Sequence, residues 1–577
     1  MTRCISRGPR TAAIAVALLV CVGLVAPRAS LAAAGDAPFR KLADEFTDHW
    51  IATRPYDAIR AGLRDHDTRT LALSDATIDA EHAWREDFGR RYHEFVRRYP
   101  MKKMSPALQV DRRLLEARFD RLTINLEVLQ PYKRDPSAYL PAVDGPVRLL
   151  LAGRPGSPCG RERDITKQLH AVPEVLRAAQ STLTVQPPRP IVEAAIRSYT
   201  RTLDLYKKSL PRAVRECRDA TSTADLAVAD TLATRALETF LDWLKHDLLA
   251  KAADSTGAVG AETYARILRD ETLRTDKLED MEREISDALA AARARRDSIA
   301  ARLNGTPPSP ARSDSALRNF AQHTLDDARA FVRKRRLATL TPKEHLRPQP
   351  TPAGAEPAGG FGVVPDEAWL WPGDKFDWRV SAATANGASY GDMKVEVLRD
   401  GYPGRGMRLL ARKKGKLSRL RGVFASPATA DAWSDYMLRV MLDSDYAQGD
   451  PALALAAENR VIETLARQSA EFAIHAHGAS LEDAAAAIAR DTGVDSTRAA
   501  ELAVRAAVAP GTATAAFERL GLLELRDQAR QRGKRRYKTQ KFTDAVLREG
   551  PVPVAGAQDK ILSGLPRARV GRTSRAS

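Results

Sequence analysis

Cysteine is scarce in this sequence, and its positions exclude two kinds of site. Only four cysteines occur in 577 residues, and Cys4 and Cys21 lie in an N-terminal segment that is predicted below to be removed. The remaining pair, Cys159 and Cys217, is too small for a disulfide framework or a four-cysteine zinc site. In an oxidising compartment the two can bridge each other, and otherwise they are two buried thiols.

Long apolar runs are absent after the N-terminus. The uncharged apolar run 11–26 follows three arginines, and small residues at 30–34 supply a cleavage pattern. This arrangement predicts a signal peptide over residues 1–34, with a retained N-terminal anchor as the alternative. The residue before Cys21 is Val20, where a lipoprotein signal has a small residue. We therefore expect a secreted protein, periplasmic or extracellular, without a stable membrane anchor.

Aromatic residues make up only 6% of the chain, whereas Ala, Leu and Arg are abundant. This balance favours helix over sheet. Apolar residues recur every three or four positions from Leu115 to Leu126 and from Leu278 to Ala292, which predicts amphipathic helices. The segment 346–361 is too rich in Pro and Gly for a helix and is interpreted as a connector. Residues 362–390 are expected to form short strands or irregular structure, so the predicted fold class is mainly α with minor β-strands.

Acidic residues are outnumbered, and the formal net charge is +18 at pH 7. An anionic partner such as an envelope polymer or an acidic peptide suits this balance, and predicted export argues against nucleic acid. The alternative is a compositional bias without a function. Seven Lys and Arg residues cluster in 408–421 and eight in 526–541. The second cluster is interpreted as solvated surface, and the first is not.

Common catalytic motifs are also missing. The chain has no HExxH, CxxC or GxSxG and no glycine-rich phosphate loop. Of its ten histidines, only His475 and His477 are close in sequence, which is a weak indication of metal binding.

Order and spacing nevertheless carry a resemblance. The N-terminal half has a series of segments that are weak one by one: 42–46, Arg54-Pro55 with 61–63, 111–115, 136–139, 168–176, 243–249 and 260–268. The more specific motifs follow, at Arg399–Arg408, Asp431–Leu438, Ile474-His475, Pro510–Ala513 and Phe542–Asp544. With these, the chain resembles, nearly end to end, the bacterial zincin-like family known as domain of unknown function 885 (DUF885).

The resemblance implies a large zincin-like helical fold with a cleft and a metallopeptidase-like zinc site. The family pattern is roughly His-Glu, two residues, then Pro-Gly-His-His, followed later by Glu-Gly-Trp-Ala-x-Tyr-x-Glu. In this chain the framework residues are kept. Arg399, Arg405 and Gly406 stand at the histidine positions, Asp400 stands at the general-base glutamate, and the later carboxylates become Asp431 and Leu438.

These departures remove the metal chemistry. Zinc needs a lone pair from imidazole, thiolate or carboxylate, and a guanidinium has none. We therefore expect no zinc or other cofactor, no catalytic residue beyond the degenerate general-base position Asp400, and a pseudoenzyme. Arg399 and Arg405 would replace the two charges of zinc and pair with Asp400 and Asp431. Drift in an unused site is the alternative.

The former cleft is then predicted to bind a peptide or another carboxylate-bearing ligand through forked hydrogen bonds. The candidate binding residues are Arg399, Arg405, Asp400, Asp431, Tyr436 and His475.

Two other functions stay open. One is an active metal-dependent hydrolase with a site rebuilt from Asp400, Asp431, Asp435, His475 or Asp544. The other is a basic module that binds envelope polymers through 526–541.

The expected organisation is an N-terminal helical part over 35–345, the connector 346–361, a C-terminal part over 362–555 and a loose basic tail over 556–577. The sequence predicts no oligomeric state.

Overall fold

The structure is a computed structural model. It describes residues 33–71, 73–151, 156–214, 217–303, 313–340, 345–350, 362–363, 375–380, 388–415 and 417–568. The predicted signal peptide and the last residues of the predicted tail lie outside this part of the chain, except for Ala33 and Ala34.

The N-terminal half is built of helices. They are α1 (Asp36–Thr53), α2 (Pro55–Arg60), α3 (Asp75–Arg98), α4 (Pro106–Thr123), α5 (Pro131–Arg134), α6 (Leu140–Val143), α7 (Gly145–Leu151), α8 (Pro158–Thr182), α9 (Arg189–Asp204), α10 (Leu210–Ala213), α11 (Ala220–Trp243), α12 (Ala261–Thr272), α13 (Leu278–Ala300) and α14 (Asp314–Arg335).

Three strands and ten further helices follow in the described part of the C-terminal half. They are β1 (His345–Pro350), β2 (Gly362–Val363), β3 (Lys375–Val380), α15 (Tyr390–Glu396), α16 (Arg405–Lys414), α17 (Arg419–Val423), α18 (Pro427–Leu442), α19 (Pro451–His475), α20 (Leu481–Thr492), α21 (Ser496–Val508), α22 (Ala515–Gly533), α23 (Thr539–Glu549) and α24 (Val554–Ser563). The mainly α prediction is confirmed.

Local sequence accounts for several helix ends. Ser480 accepts a hydrogen bond from the backbone N–H of Asp483 at the start of α20, which ends at Gly493 with φ of 75°. A side-chain acceptor at this position satisfies a backbone donor that the helix leaves open, and glycine adopts the left-handed conformation without strain. In α13 the residues Met281, Ile285 and Leu289 are buried, so the predicted apolar stripe is a core face.

The sheet is small and has the order β1-β3-β2. Strand β1 runs parallel to β3, with Leu346 paired to Phe376, and β2 runs antiparallel to β3. Trp378 and Val380, two positions apart on β3, are fully buried, as alternation in a strand requires. The predicted connector therefore differs from the structure at 346–350, where Leu346 enters the core, and its other residues lie outside the described part.

Several apolar cores stabilise the fold. The largest contains residues of α14, the sheet, α15, α16, α18 and α22–α24. A second fills the space within α6–α11, and a third joins α1, α3 and α4 to α17, where Phe46 and Phe424 have ring centroids 5.6 Å apart. The predicted tail starts later than expected, because Ile561 and Leu562 of α24 are buried in the largest core.

Cys159 and Cys217 form a disulfide with their Cα atoms 4.7 Å apart, which confirms the predicted pairing. The bond joins the start of α8 to the segment before α11. Across the described residues, no helix combines the length and the apolar character that crossing a membrane requires.

Candidate functional site

Residues 399–406, which stand at the histidine positions of the pattern described above, form a tightly held loop. A π-helical turn, Val397–Gly401, follows α15, and the peptide bond between Tyr402 and Pro403 is cis. The indole Nε1 of Trp433 donates to the carbonyl oxygens of Pro403 and Gly404, both at 3.2 Å. A Cβ atom on Gly404 would lie 1.8 Å from the Arg399 carbonyl oxygen. Glycine at 404 and Trp433 on α18 therefore fix where residues 399–405 lie.

Arg399 forms a buried ion pair with Asp435 of α18. Its Nε donates to Asp435 Oδ1 at 2.5 Å, and the two residues are 5% and 3% exposed. Burial disfavours the charged guanidinium, but Asp435, Asp431, Glu396 and Asp400 outweigh it and raise the pKa of Arg399. The Arg399 side chain is therefore a buried cation whose counter-charge is already inside the protein.

Arg405, the first residue of α16, pairs with Asp431. Its Nη2 donates to Asp431 Oδ1 at 2.9 Å, and both side chains are partly exposed. Burial acts to raise the pKa of Asp431, but the charges of Arg405, Arg399 and Arg460 outweigh this effect and lower it. This carboxylate is thus held ionised between arginines.

Asp400 has a different neighbour from the one predicted. Glu396 lies one turn earlier, and burial together with the charge of Asp400 raises the pKa of Glu396 to about 8, while the charge of Asp400 also acts on Arg399. The sequence prediction assigned Asp400 and Asp431 to the two arginines. The structure pairs Asp431 with Arg405, Asp435 with Arg399, and Asp400 with Glu396.

The residues at this place do not fit a zinc ion. At two of the three positions where the family pattern has histidine, Arg399 and Arg405 place guanidinium groups that are paired with carboxylates. At the third, a Cβ on Gly406 would lie 2.4 Å from Leu346 Cδ1 and 2.6 Å from the Gly401 carbonyl oxygen. No side chain can replace this glycine unless strand β1 or the loop moves. In the part of the chain that the structure describes, no group of three or more His, Cys, Asp or Glu residues is arranged to hold a metal ion.

A row of arginines extends from this loop along α16. Arg405, Arg408 and Arg412 are spaced by three and four residues, so they share one face of the helix. Together with Arg60 they line a cavity of about 50 Å³. Burial, aided by Arg412, lowers the pKa of Arg408 to about 9. Arg408 donates to the carbonyl oxygens of Thr429 and Gly550, and among the described residues it has no carboxylate partner.

The basic segment 408–421 is therefore not a uniformly solvated surface. Arg412 and Arg421 are 8% and 5% exposed. Arg421 pairs with Asp111 and donates from Nη1 to Glu549 Oε2 at 3.2 Å. These two contacts tie α17 to α4 and α23.

His475 belongs to a separate buried group. It lies fifteen residues after Arg460 on α19, which corresponds to ~22 Å along the helix axis. Its Nε2 contacts the Ala506 carbonyl oxygen at 2.9 Å, and burial lowers its pKa. The ring lies 5.3 Å from that of Tyr264, whose hydroxyl donates to Glu471.

The Pro-Gly motif at 510–513 lies beside the same buried group as His475. Glu471 accepts hydrogen bonds from the backbone N–H groups of Gly511 and Ala513, both at 2.9 Å. Burial raises the pKa of Glu471 to about 7. The motif at 510–513 therefore binds a buried carboxyl group of its own chain.

Tyr436 and Asp544 lie elsewhere again. Tyr436 is fully buried in the largest core, with the Arg526 guanidinium 6.0 Å from its ring centre. Asp544 is on the exposed side of α23 and accepts hydrogen bonds from the backbone N–H and hydroxyl of Thr339. The rebuilt site considered above is thus not gathered in one place, because His475 and Asp544 contact other parts of the fold.

Sequence reasoning missed three members of the site. Asp435 was named only as a possible ligand and not as the partner of Arg399, although it lies four residues after Asp431 and so on the same helical face. Glu396 precedes Asp400 by the same spacing. Arg460, on α19, approaches Asp431 only through tertiary packing, and no local pattern indicates it.

The comparisons with known proteins agree on the family and the fold. The family model described as "Bacterial protein of unknown function (DUF885)" matches residues 55–561. No curated protein matches the chain. A candidate lipoprotein of unknown function from Shewanella oneidensis is 16% identical, with a TM-score of 0.70 over 91% of this chain and 99% of its own. A candidate lipoprotein from Colwellia psychrerythraea is 14% identical, with a TM-score of 0.72 over 92% and 99%. At these identities the likeness establishes the fold alone.

Proposed function

This chain belongs to the bacterial DUF885 family, and from that premise we propose that it is an exported, catalytically inactive member that binds a carboxylate-bearing ligand. In this proposal the fold is related to zinc peptidases, and ion pairs have replaced the metal. The observation that carries it is the Arg399–Asp435 pair, which fills a former metal-ligand position with a buried, paired cation.

The ligand-binding role falls to the arginines of α16. Arg399 is committed to Asp435, but Arg408 is a half-buried cation that is satisfied only by two backbone carbonyls among the described residues. Burying a cation without a counter-charge is unfavourable, and an incoming carboxylate would offset that cost with charge-assisted hydrogen bonds. The adjoining cavity of about 50 Å³ is close to the volume of two waters. One carboxylate group fits there, with the rest of the ligand outside.

Binding is tested with a short peptide that ends in a free carboxylate, measured by calorimetry against the same peptide as its amide. We expect the acid to bind and the amide to bind at least about tenfold more weakly, because the amide loses a charge-assisted pair. Arg408→Gln should abolish the difference. Arg419→Gln, at an exposed arginine paired with Asp48, is the matched control. Equal binding of acid and amide to the parent protein would reject the ligand class.

Absence of metal-dependent catalysis is tested separately. Protein purified without chelator should carry less than one equivalent of zinc and should not hydrolyse peptides. One equivalent of zinc, lost together with peptidase activity in Asp431→Asn, would establish the rebuilt hydrolase instead.

Export is supported by three observations. They are the signal-like N-terminus, the Cys159–Cys217 disulfide and the likeness to candidate lipoproteins. Disulfides persist mainly in oxidising compartments. Mass spectrometry of the exported protein should find the mature N-terminus near Ala33 or Gly35. A membrane-held protein that still begins at Met1 would contradict this.

A further inference from the structure

A second cavity has no α16 arginine among its described lining residues. Its volume is about 850 Å³, and its walls come from α4, α12, α22 and α24. Cavities of roughly 300–1,000 Å³ are typical of sites for small organic ligands. Seven carboxylic side chains and three arginines line it, which is an acidic surface in a chain of net charge +18.

Asp270 is one of the two most buried of these acids. It is 3% exposed, and its Oδ2 has no hydrogen-bond partner within the described part of the chain. Its neighbour Asp120 is already paired, with Arg266 at 2.7 Å and Arg269 at 3.3 Å. Burial, and then the charge of Asp120, raises the pKa of Asp270 to about 8. This wall therefore holds a carboxyl group with an unused acceptor.

Glu518 is a second buried acid in the wall. It is 2% exposed, and its Oε2 accepts the backbone N–H of Val554 at 2.7 Å. The described residues supply no ion-pair partner for it. Burial raises its pKa to about 8 despite the nearby charges of Arg408 and Arg274.

The arginines of this cavity do not neutralise these two acids. Arg269 is paired with Asp120, and Arg274 is paired with Asp276 at 2.8 Å and Glu284 at 2.7 Å. Among the described residues, Arg113 donates only to the Gly556 carbonyl oxygen, at 3.5 Å. Glu524 and Asp559, which lie at the exposed edge of the cavity, add further negative charge.

We propose that this cavity binds an organic ammonium ligand, with Asp270 and Glu518 as its buried acceptors. The acids are spread over different helices and do not converge into a metal-ligand group among the described residues, which favours an extended organic cation over a metal ion. An ammonium N–H would give Asp270 Oδ2 the partner that it lacks. The ligand could be a free polyamine or a lysine-bearing peptide, since the two share the alkylammonium group. The proposal does not depend on the function proposed for the α16 arginines.

Calorimetry on the full mature chain, residues 35–577, distinguishes these sources with spermidine in one arm and trilysine in the other. We expect one equivalent of at least one of them to bind. At about pH 9, where both carboxyls are ionised and the probes keep their alkylammonium charge, Asp270→Asn and Glu518→Gln should each weaken binding about tenfold, because each removes a charge-assisted acceptor. Asp559→Asn, at the exposed edge, should weaken it about threefold without affecting folding.

The matched control is Asp230→Asn. Asp230 is also a carboxyl group whose pKa burial raises, to about 6, and its Oδ1 also lacks a partner in the described structure, but it lies on α11, outside the cavity. Binding to this variant should equal that of the parent. Failure of both probes to bind the parent overturns the proposal. So does equal weakening by Asp230→Asn, or unchanged binding to both Glu518→Gln and Asp559→Asn.

Discussion

Among the described residues, charged groups are paired in the loop around Arg399, whereas buried acids are unpaired in the cavity beside Asp270. In the loop, Arg399 is matched by Asp435 and Arg405 by Asp431, so both carboxylates have cations within hydrogen-bond distance. In the cavity, Asp270 and Glu518 are as buried as Asp435 but have no such cation among the described residues, and their pKa values rise to about 8. Charges that are paired within the protein have no capacity left to bind a ligand, whereas unpaired acids beside a cavity can bind one. The loop around Arg399 is thus the closed region of this protein and the acidic cavity the open one.

The largest expected effect comes from removing the Arg399–Asp435 pair in the closed region. Arg399→Leu should lower the free energy of unfolding by about 3–5 kcal/mol, because it leaves Asp435 charged and buried without its partner. The double change Arg399→Leu with Asp435→Leu should recover part of that loss, since apolar side chains can replace a buried pair. Urea denaturation measures both. Silent single and double changes would mean that the pair is not structural.

A smaller effect tests why residue 406 is glycine. Gly406→Ala should destabilise the protein by about 1–3 kcal/mol, as overpacking does, because its Cβ would meet Leu346 and the Gly401 carbonyl oxygen. Gly449→Ala would be a poor control because of its positive φ, whereas Gly415→Ala has only ordinary contacts. Thermal melts should separate the two variants by several degrees. Equal melting temperatures would show that the loop can move aside.

Asp270 and Glu518 in the cavity should contribute a pH dependence of stability that is opposite in sign to that of Asp431 in the loop. Asp270 and Glu518 take up protons on folding between about pH 4, where exposed carboxyls titrate, and about pH 8, so stability falls as pH rises through this window. Replacing either by its amide should flatten the slope by about 1 kcal/mol per pH unit. The pKa of Asp431 is lowered, so its contribution is lost instead as pH falls below the ordinary carboxyl range. Melting curves of the parent, Asp270→Asn and Asp431→Asn across pH 3–9 give the pH dependence of stability that each carboxyl contributes. Contributions of the same sign would contradict the pKa directions.

The smallest expected effect is at the exposed edge of the closed region. Arg405→Gln should change the free energy of unfolding by less than about 1 kcal/mol, because a partly exposed pair is screened by water and salt. Denaturation at low and at high salt gives the measurement. A loss as large as that of Arg399→Leu would place Arg405, and not Arg399, at the centre of the closed region.

Several features were predictable from local patterns. The apolar stripe of α13 was predicted correctly, since it depends on neighbours within four residues. The cysteine count left the disulfide and two buried thiols as alternatives, and the structure has the disulfide. By contrast, strand β1 was predicted as a connector, because its prolines obscure a strand whose partner β3 lies 30 residues later.

Charge at the site shows where sequence reasoning ends. The sequence alone shows that Arg399 and Arg405 stand where the family pattern has histidine. The misfit with zinc follows from this, because a guanidinium has no lone pair to offer a metal ion. Which carboxylate each arginine meets was decided by the packing of α18 against the loop: Asp435 is buried with Arg399, and Asp400 is left to Glu396. The acidic cavity was invisible in the sequence, since Asp270 and Glu518 are about 250 positions apart. A chain's composition determines its net charge, but burial and distance, which only the tertiary structure sets, determine which charges are paired and which remain available to a ligand.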